Sequence, residues 1–316
     1  MKTIIRVIDL ETGPDPIEGE PGIIEYGHTD LWTDQHDMLG SPFDWQVGEN
    51  PFDSMQSLVR PYGPIPPETS AIHNLTDDDV QSSPAWSEVA PCVTLVNNPS
   101  ERIVALAAHN IECEKNLIGA AAGGLPWIDT YKIALRLWPG SMSHSNNAIR
   151  YYLMPTGLIR DRALPTHRAL PDSYVTAFTL REALNAGHSV ETLIKWTNEP
   201  ALLPRCKIGE QYRNGGKGTP WEDVEYGMLT WILSKKFDAD TLHTARYHLE
   251  KRDMDQRLES ERQELNRQYR ANGMPETASF ESATEDLADG RASPNEARTG
   301  LEPLVRRDAN TMELPL

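Results

Sequence analysis

Cysteine is scarce in this chain: Cys92, Cys113 and Cys206 are the three among 316 residues. They are odd in number and far apart. That argues against a disulfide framework or a zinc cluster and fits a reducing, cytoplasmic setting. Long apolar runs are missing too. No stretch approaches the roughly 18–20 residues of a membrane span, so no membrane partner is expected. The opening "MKTIIRVIDL" superficially suggests a signal peptide, but Arg6 and Asp9 interrupt it and no small-residue cleavage site follows. Internal repeats are absent. The Gly-rich "RNGGKG" lacks the spacing and the Ser/Thr of a nucleotide-binding loop.

Positive charge is thin and unevenly placed. The net charge is −17, which as a bare sum argues against a polyanionic partner. Its distribution says otherwise. Up to residue 80 the cations are Lys2, Arg6 and Arg60. Between Lys132 and Arg181 the balance reverses, with Lys132, Arg136, Arg150, Arg160, Arg162, Arg168 and Arg181 outnumbering the acids. An acidic cluster with basic flanks is what a cation site handling a polyanion requires.

Hydrophobic content of 39% is compatible with a packed core. Apolar strands alternate with helical patterns over the first 190 or so residues: "IRVIDLETG", "IIEYGHTDLW" and "RIVALAAHN" read as strands, and "CEKNLIGAAAGG", "WIDTYKIALRLWP", "SNNAIRYYLMPTG" and "LPDSYVTAFTLREALNAG" carry helices. This predicts an α/β domain. Residues 33–56 read as a hairpin or surface insertion. Thr76 and Asp129 are expected helix N-caps. A small module is expected over 203–252, opening on a Gly-rich hairpin, and a charged, flexible or helical tail over 253–316.

The chemistry is carried by spacing. In a strand, Asp9 and Glu11 share one face while Ile8 and Leu10 take the other. Two adjacent carboxylates are costly to bury unless a cation joins them. A solvated edge strand is the alternative on these residues alone. "AHNIECE" places polar residues at the carboxyl end of an apolar strand, where open α/β sheets collect their sites. "HRALPDSYVTAF" adds His167 and Asp172 at a helix start. On a regular helix, His167 would point away from Asp172, so it is expected just outside the helix.

In order and spacing these motifs resemble the DEDDh family of 3′→5′ exonucleases, which includes the proofreading subunit of DNA polymerase III, oligoribonuclease-type enzymes and exonuclease X. "VIDLETG" matches the first motif and "HRALPD" the third. "RPYGPIPPETSAIHNLTDDDV" looks like the connecting segment, and the resemblance covers residues 1–186. The appended "RCKIGEQYRNGGKGTPWEDVEYGMLTWIL" is similar to the C-terminal module of the exonuclease X group. The resemblance implies a ribonuclease H-like exonuclease fold (a mixed central sheet flanked by helices) with a small C-terminal module and polar tail.

It also implies Asp9, Glu11, Glu114 and Asp172 as ligands of two Mg²⁺, with Mn²⁺ able to substitute, and His167 as general base. Thr12, Gly13, His109, Asn110 and Arg168 would lie at the substrate. DNA 3′ ends would be the partner, with further contacts from Arg205, Lys207, Arg213 and Lys217. A sliding-clamp peptide at Met312–Leu316 is a further expected contact.

The chain departs from the pattern at the second motif. Glu114 stands where the family has Asp, and Cys113 where it has a packing Phe. Three outcomes are open: a compensated site, a slower or Mn²⁺-preferring enzyme, or a protein that binds ends without cleaving them. Within the fold an RNA 3′-end trimming activity is the rival. His73, His144 and His188 are expected to be structural or exposed.

Overall fold

The computed structural model describes residues 2–34, 44–48, 53–209 and 217–271. The chain divides into two compact units, Met1–Ala245 and Arg246–Leu316. Its strands are β1 Lys2–Thr12, β2 Ile23–Asp34, β3 Gln46–Val47, β4 Ser54–Leu58, β5 Glu101–Ala108 and β6 Trp127–Asp129. The helices are α1 Pro67–His73, α2 Asp77–Val80, α3 Trp86–Val89, α4 Glu112–Ile118, α5 Thr130–Leu137, α6 Asn146–Leu153, α7 Ala169–Asn185, α8 Val190–Asn198, α9 Tyr226–Leu233 and α10 Ala239–Ala271.

The sheet runs β3-β2-β1-β5-β6, with β4 also pairing β2. β1 and β2 are antiparallel, whereas β1, β5 and β6 are parallel. β1 is therefore central, and the solvated-edge reading of Asp9 and Glu11 is excluded. Ile5, Val7, Leu31 and Ala107 face Tyr174, Phe178 and Leu180 of α7. Ile4, Ile8, Leu10, Tyr26 and Leu106 face the opposite layer, with Ile118 and Trp127. Burial on both faces explains why β1 reads as a near-continuous apolar run. This is the mixed sheet flanked by helices that the motifs predict.

Arg6 breaks that run three residues before Asp9, and the fold surrounds it. Arg6 is 2% exposed. Its Nε and Nη2 donate to the two carboxylate oxygens of Asp30 on β2, each at 2.8 Å. Its Nη1 donates to the carbonyls of Cys92 (2.7 Å), Val93 (3.3 Å) and Leu95 (2.8 Å). A planar guanidinium with five donors suits this task as an ammonium would not.

The expected caps are present. Thr76 precedes α2, and its N–H and hydroxyl both donate to Asp79 at 2.7 Å. Asp129 caps α5 by accepting from Tyr131 and Lys132 N–H. The 33–56 segment supplies β3 and β4 along one edge of β2, with 35–43 and 49–52 outside the described residues.

The hairpin expected at the start of the small module is present at its base, through Arg205↔Pro220 and Gly218 N–H to the Cys206 carbonyl at 2.8 Å. Residues 210–216, with Arg213, lie outside the described residues, as do 272–316 with Met312–Leu316. The boundary between compact units falls at 245/246, inside the expected 203–252 module. Ala201 and Leu203 are bonded to Asp240 and Thr244 within the first unit. From Arg246 onward, in the second unit, α10 is polar, with i,i+3 pairs Arg262–Glu259 and Arg267–Glu264. Among the described residues no helix is long and apolar enough to cross a membrane.

Candidate active site

Asp9, Glu11 and Asp172 each offer a carboxylate oxygen, and the three lie within 4.8 Å of one another. Two come from the carboxyl end of β1 and the third from the first turn of α7. The period-2 geometry of β1 puts its pair on the α7 side. What brings α7 to them is a row of alternate residues on β2. Glu25 is the register partner of Glu11, Gly27 of Asp9 and Thr29 of Val7.

Each residue of that row seats the helix differently. Glu25 accepts from the Ala169 N–H at 3.1 Å. Thr29 and Ser173 hydroxyls are 3.1 Å apart. Gly27 lies directly beneath the backbone of Ala169 and Leu170, where a Cβ would overlap both residues. Gly27→Ala is therefore expected to lift the start of α7 and Asp172 with it. Overpacking costs about 1–3 kcal/mol. A shift near 1 Å at the reacting groups costs about 10²-fold in rate. Thermal melting and initial rates on one preparation check this: activity should fall in a protein that is still folded at the assay temperature.

His167 stands where its spacing predicts, outside α7 and exposed to solvent. Its backbone is left-handed, φ 59°, and its N–H donates to Asp172 Oδ2 at 2.9 Å. That bond ties the imidazole-bearing residue to the third carboxylate. Asn146 of α6 donates from its amide to the Asp172 carbonyl at 3.0 Å, adding a second tie.

The electrostatics are those of a site built for cations. Desolvation, then the charges of Asp172, Glu114, Glu11 and Glu25, hold Asp9 well above the ordinary carboxylate range. Burial, Asp172 and Glu25 push Glu11 up to about 8. Burial pushes Glu114 up to about 7 and also raises Asp172. Glu114 is 7% exposed and sits outside the three-residue group. Its Oε2 is buried with no hydrogen-bond partner among the described residues. An orphaned buried carboxylate oxygen beside three crowded ones fits divalent cations and their oxygen-rich coordination.

The raised pKa values have a consequence for stability. An acid whose folded pKa exceeds its unfolded one binds more protons when folded, so stability falls as pH rises between the two. For Glu11 that window runs from about 4.5 to about 8, and for Glu114 from about 4.5 to about 7. Without metal the protein is expected to lose melting temperature from pH 5 to 8. Added Mn²⁺ or Mg²⁺ should raise it most at pH 8, where protons no longer compete. Melting curves with EDTA and with metal across that range test this.

Several residues expected at the substrate are engaged in the fold. His109 Nε2 donates to the His144 carbonyl at 2.8 Å, and Nδ1 is 3.0 Å from the Thr130 hydroxyl. Burial lowers its pKa to about 4, which favours the neutral imidazole at these two bonds. Asn110 takes φ 69°, and its N–H donates to Asp129 at 3.0 Å, which joins β5 to α5. Gly13 N–H closes the following loop on the Gly22 carbonyl at 2.9 Å, next to Thr12 at the strand end.

Arg168 is held within the fold as well. Its guanidinium grips Glu25 through Nε at 2.8 Å and Nη2 at 2.6 Å. The sequence reading missed Glu25 because nothing local pairs residues 25 and 168. The alternation Glu25-Gly27-Thr29 was its one visible signal. Arg205, Lys207 and Lys217 are exposed. His73 and His144 are buried, and His188 packs its ring 4.9 Å from that of Trp196.

No model of a known protein family matches the chain. Among curated proteins, it is 32% identical over 232 residues to exodeoxyribonuclease 10 of Escherichia coli strain K12, covering 73% of this chain and 91% of that protein. The same figures hold for exodeoxyribonuclease 10 of Escherichia coli O6:H1. Among solved structures, exonuclease X in complex with 5′ overhanging duplex DNA is 29% identical, covers 61% of this chain and 99% of its own, and gives a TM-score of 0.45. The nuclease domain of 3′hExo, a DEDDh family member bound to rAMP, is 16% identical, covers 58% and 92%, and gives 0.40. With its motifs and mixed sheet already placed, the chain belongs to the exodeoxyribonuclease 10, or exonuclease X, family of DEDDh exonucleases.

Proposed function

We propose that this chain is a 3′→5′ exodeoxyribonuclease that removes nucleoside 5′-monophosphates from DNA 3′ ends with two divalent metal ions. The observation that carries the reading is the closure of Asp9, Glu11 and Asp172 to within 4.8 Å in a chain of this family. Those three with Glu114 would hold the ions, Mg²⁺ by preference and Mn²⁺ as substitute. Bound there, the ions stabilise the attacking and leaving oxygens of an in-line displacement.

The chain's own residues do the rest. His167 is exposed beside Asp172 and takes the proton from the attacking water. The water oxygen bonds to phosphorus, the bond to the penultimate 3′ oxygen breaks, and a 5′-monophosphate leaves a chain one nucleotide shorter. Thr12 and Gly13, at the end of β1, would meet the terminal nucleotide. Exposed Arg205, Lys207 and Lys217 are suited to the DNA backbone, with Arg213 beside them in sequence. A clamp-binding role for Met312–Leu316 and a cytoplasmic location belong to this reading as well.

A 5′-labelled single-stranded DNA incubated in Mg²⁺, and separately in Mn²⁺, tests the proposal. A ladder shrinking from the 3′ end supports it. Faster cleavage of a matched RNA would favour RNA trimming instead. No ladder in either metal, with end-dependent binding retained, would leave a binding protein. Restored cleavage in Glu114→Asp would then place the cause in one extra methylene.

A further inference from the structure

Glu25 is fully buried, at 0% exposure, yet it takes part in none of the chemistry above. Its two oxygens accept four hydrogen bonds. Arg168 Nε (2.8 Å) and Ala169 N–H (3.1 Å) reach Oε2, while Arg168 Nη2 (2.6 Å) and Gln56 Nε2 (2.6 Å) reach Oε1. Burial works against ionisation here, but Arg168, the Ala169 N–H and Gln56 outweigh it and keep this carboxylate's pKa below the ordinary range. It is an anchored anion beside carboxylates that are all pushed the other way.

The anchored residues immediately follow the general base. His167 holds a left-handed backbone, φ 59°. Such a conformation is strained in a non-glycine residue and persists only where the surroundings over-determine it. On one side the His167 N–H is tied to Asp172, and on the other Arg168 and Ala169 are tied to Glu25. Gln56 on β4 fixes Glu25 from behind.

We propose that Glu25 and Arg168 form a positioning latch, in which the buried carboxylate fixes the turn carrying His167 and thereby sets its place against Asp9, Glu11 and Asp172. The inference rests on the exonuclease reading above. It assigns Arg168 to positioning and not to the substrate phosphates. The Nε–Nη2 edge of its guanidinium is bidentate to Glu25, the pairing geometry in which arginine binds most strongly.

The test compares Glu25→Gln, Arg168→Gln and the double variant with wild type on single-stranded DNA. KM and kcat are measured, 3′-end affinity is measured in Ca²⁺, and hydrogen exchange is followed in the metal-free 164–172 segment. A latch predicts a loss of kcat of about 10–100-fold in each single variant. KM and affinity should stay within about twofold, the double variant should be no worse than the weaker single, and exchange should rise in both.

A tenfold weaker KM and affinity for Arg168→Gln, with Glu25→Gln near normal, would overturn the latch and make Arg168 a substrate contact. So would losses that simply add. If Glu25→Gln failed to fold, Arg168→Gln, which alters a partly exposed side chain, still decides through its split between kcat and KM. An inactive wild type would defeat the exonuclease reading alone. In that case unchanged exchange in both variants would overturn the latch, and raised exchange would sustain it.

Discussion

Asp9→Asn is expected to abolish mononucleotide release while making the metal-free protein harder to melt. The two effects have one cause. Asp9 is the register partner of Gly27 and shares the three-carboxylate group with Glu11 and Asp172. Its charge is disfavoured by desolvation and by four neighbouring acids. Removing that charge relieves Glu11 and Asp172 in the absence of metal, so at pH 8 with EDTA the variant should melt above wild type. In a domain of this size each kcal/mol is about 2–4 °C. With metal present the same change would remove a proposed ligand. A loss of about 10³-fold, or roughly 4 kcal/mol of barrier, is expected. A gel assay and a melting curve on one sample separate this from misfolding, because misfolding would lower both readings. Unchanged release in Asp9→Asn would end the proposed mechanism.

Arg6→Met is expected to produce the largest loss of stability without touching the chemistry. Arg6 and Asp30 are both buried, and the Met side chain leaves Asp30 charged and unpaired between sheet and helix. Breaking a buried pair from one side costs about 3–5 kcal/mol. The carbonyls of Cys92, Val93 and Leu95 lose their donor as well. The double variant Arg6→Met/Asp30→Leu should recover a large part, since an apolar pair of similar volume avoids the stranded charge. It should not recover all, because those carbonyls stay unsatisfied. Denaturant titration of the three proteins checks the order: wild type, then double, then single. A single variant as stable as wild type would show that the pair contributes nothing net.

These two residues mark the limits of what local sequence can carry. The pairing of Asp9 with Glu11 on one face was legible because strand periodicity is fixed by backbone geometry: two residues on, the same face returns. His167 outside its helix was legible for a similar reason, since a helix starting at Ala169 cannot turn both His167 and Asp172 the same way. The helix starts at Thr76 and Asp129 follow from short polar side chains beside unpaired N–H groups: Asp129 accepts the Tyr131 and Lys132 N–H, and Asp79 reaches back to the Thr76 N–H. Arg6 was visible as a charge inside an apolar strand, but its partners were not. Asp30 is 24 positions away and Leu95 is 89.

Sequence alone thus determined the α/β class, the family and the candidate carboxylates, because motif spacing and periodicity are local properties of the chain. It did not show that His109 and Arg168 also hold the fold together, through the His144 carbonyl and the Glu25 carboxylate. The tertiary structure decided which side chains face one another. It set Glu25 opposite Glu11, Gly27 beneath Ala169, and Glu114 beside the three-carboxylate group instead of within it. The physical reason is register: Glu25 and Arg168 are 143 residues apart and meet only because β2 pairs with β1 in one alignment and α7 crosses at a glycine. A slip of one residue in that pairing would turn every side chain of β2 to the opposite face and leave the same motifs without a site.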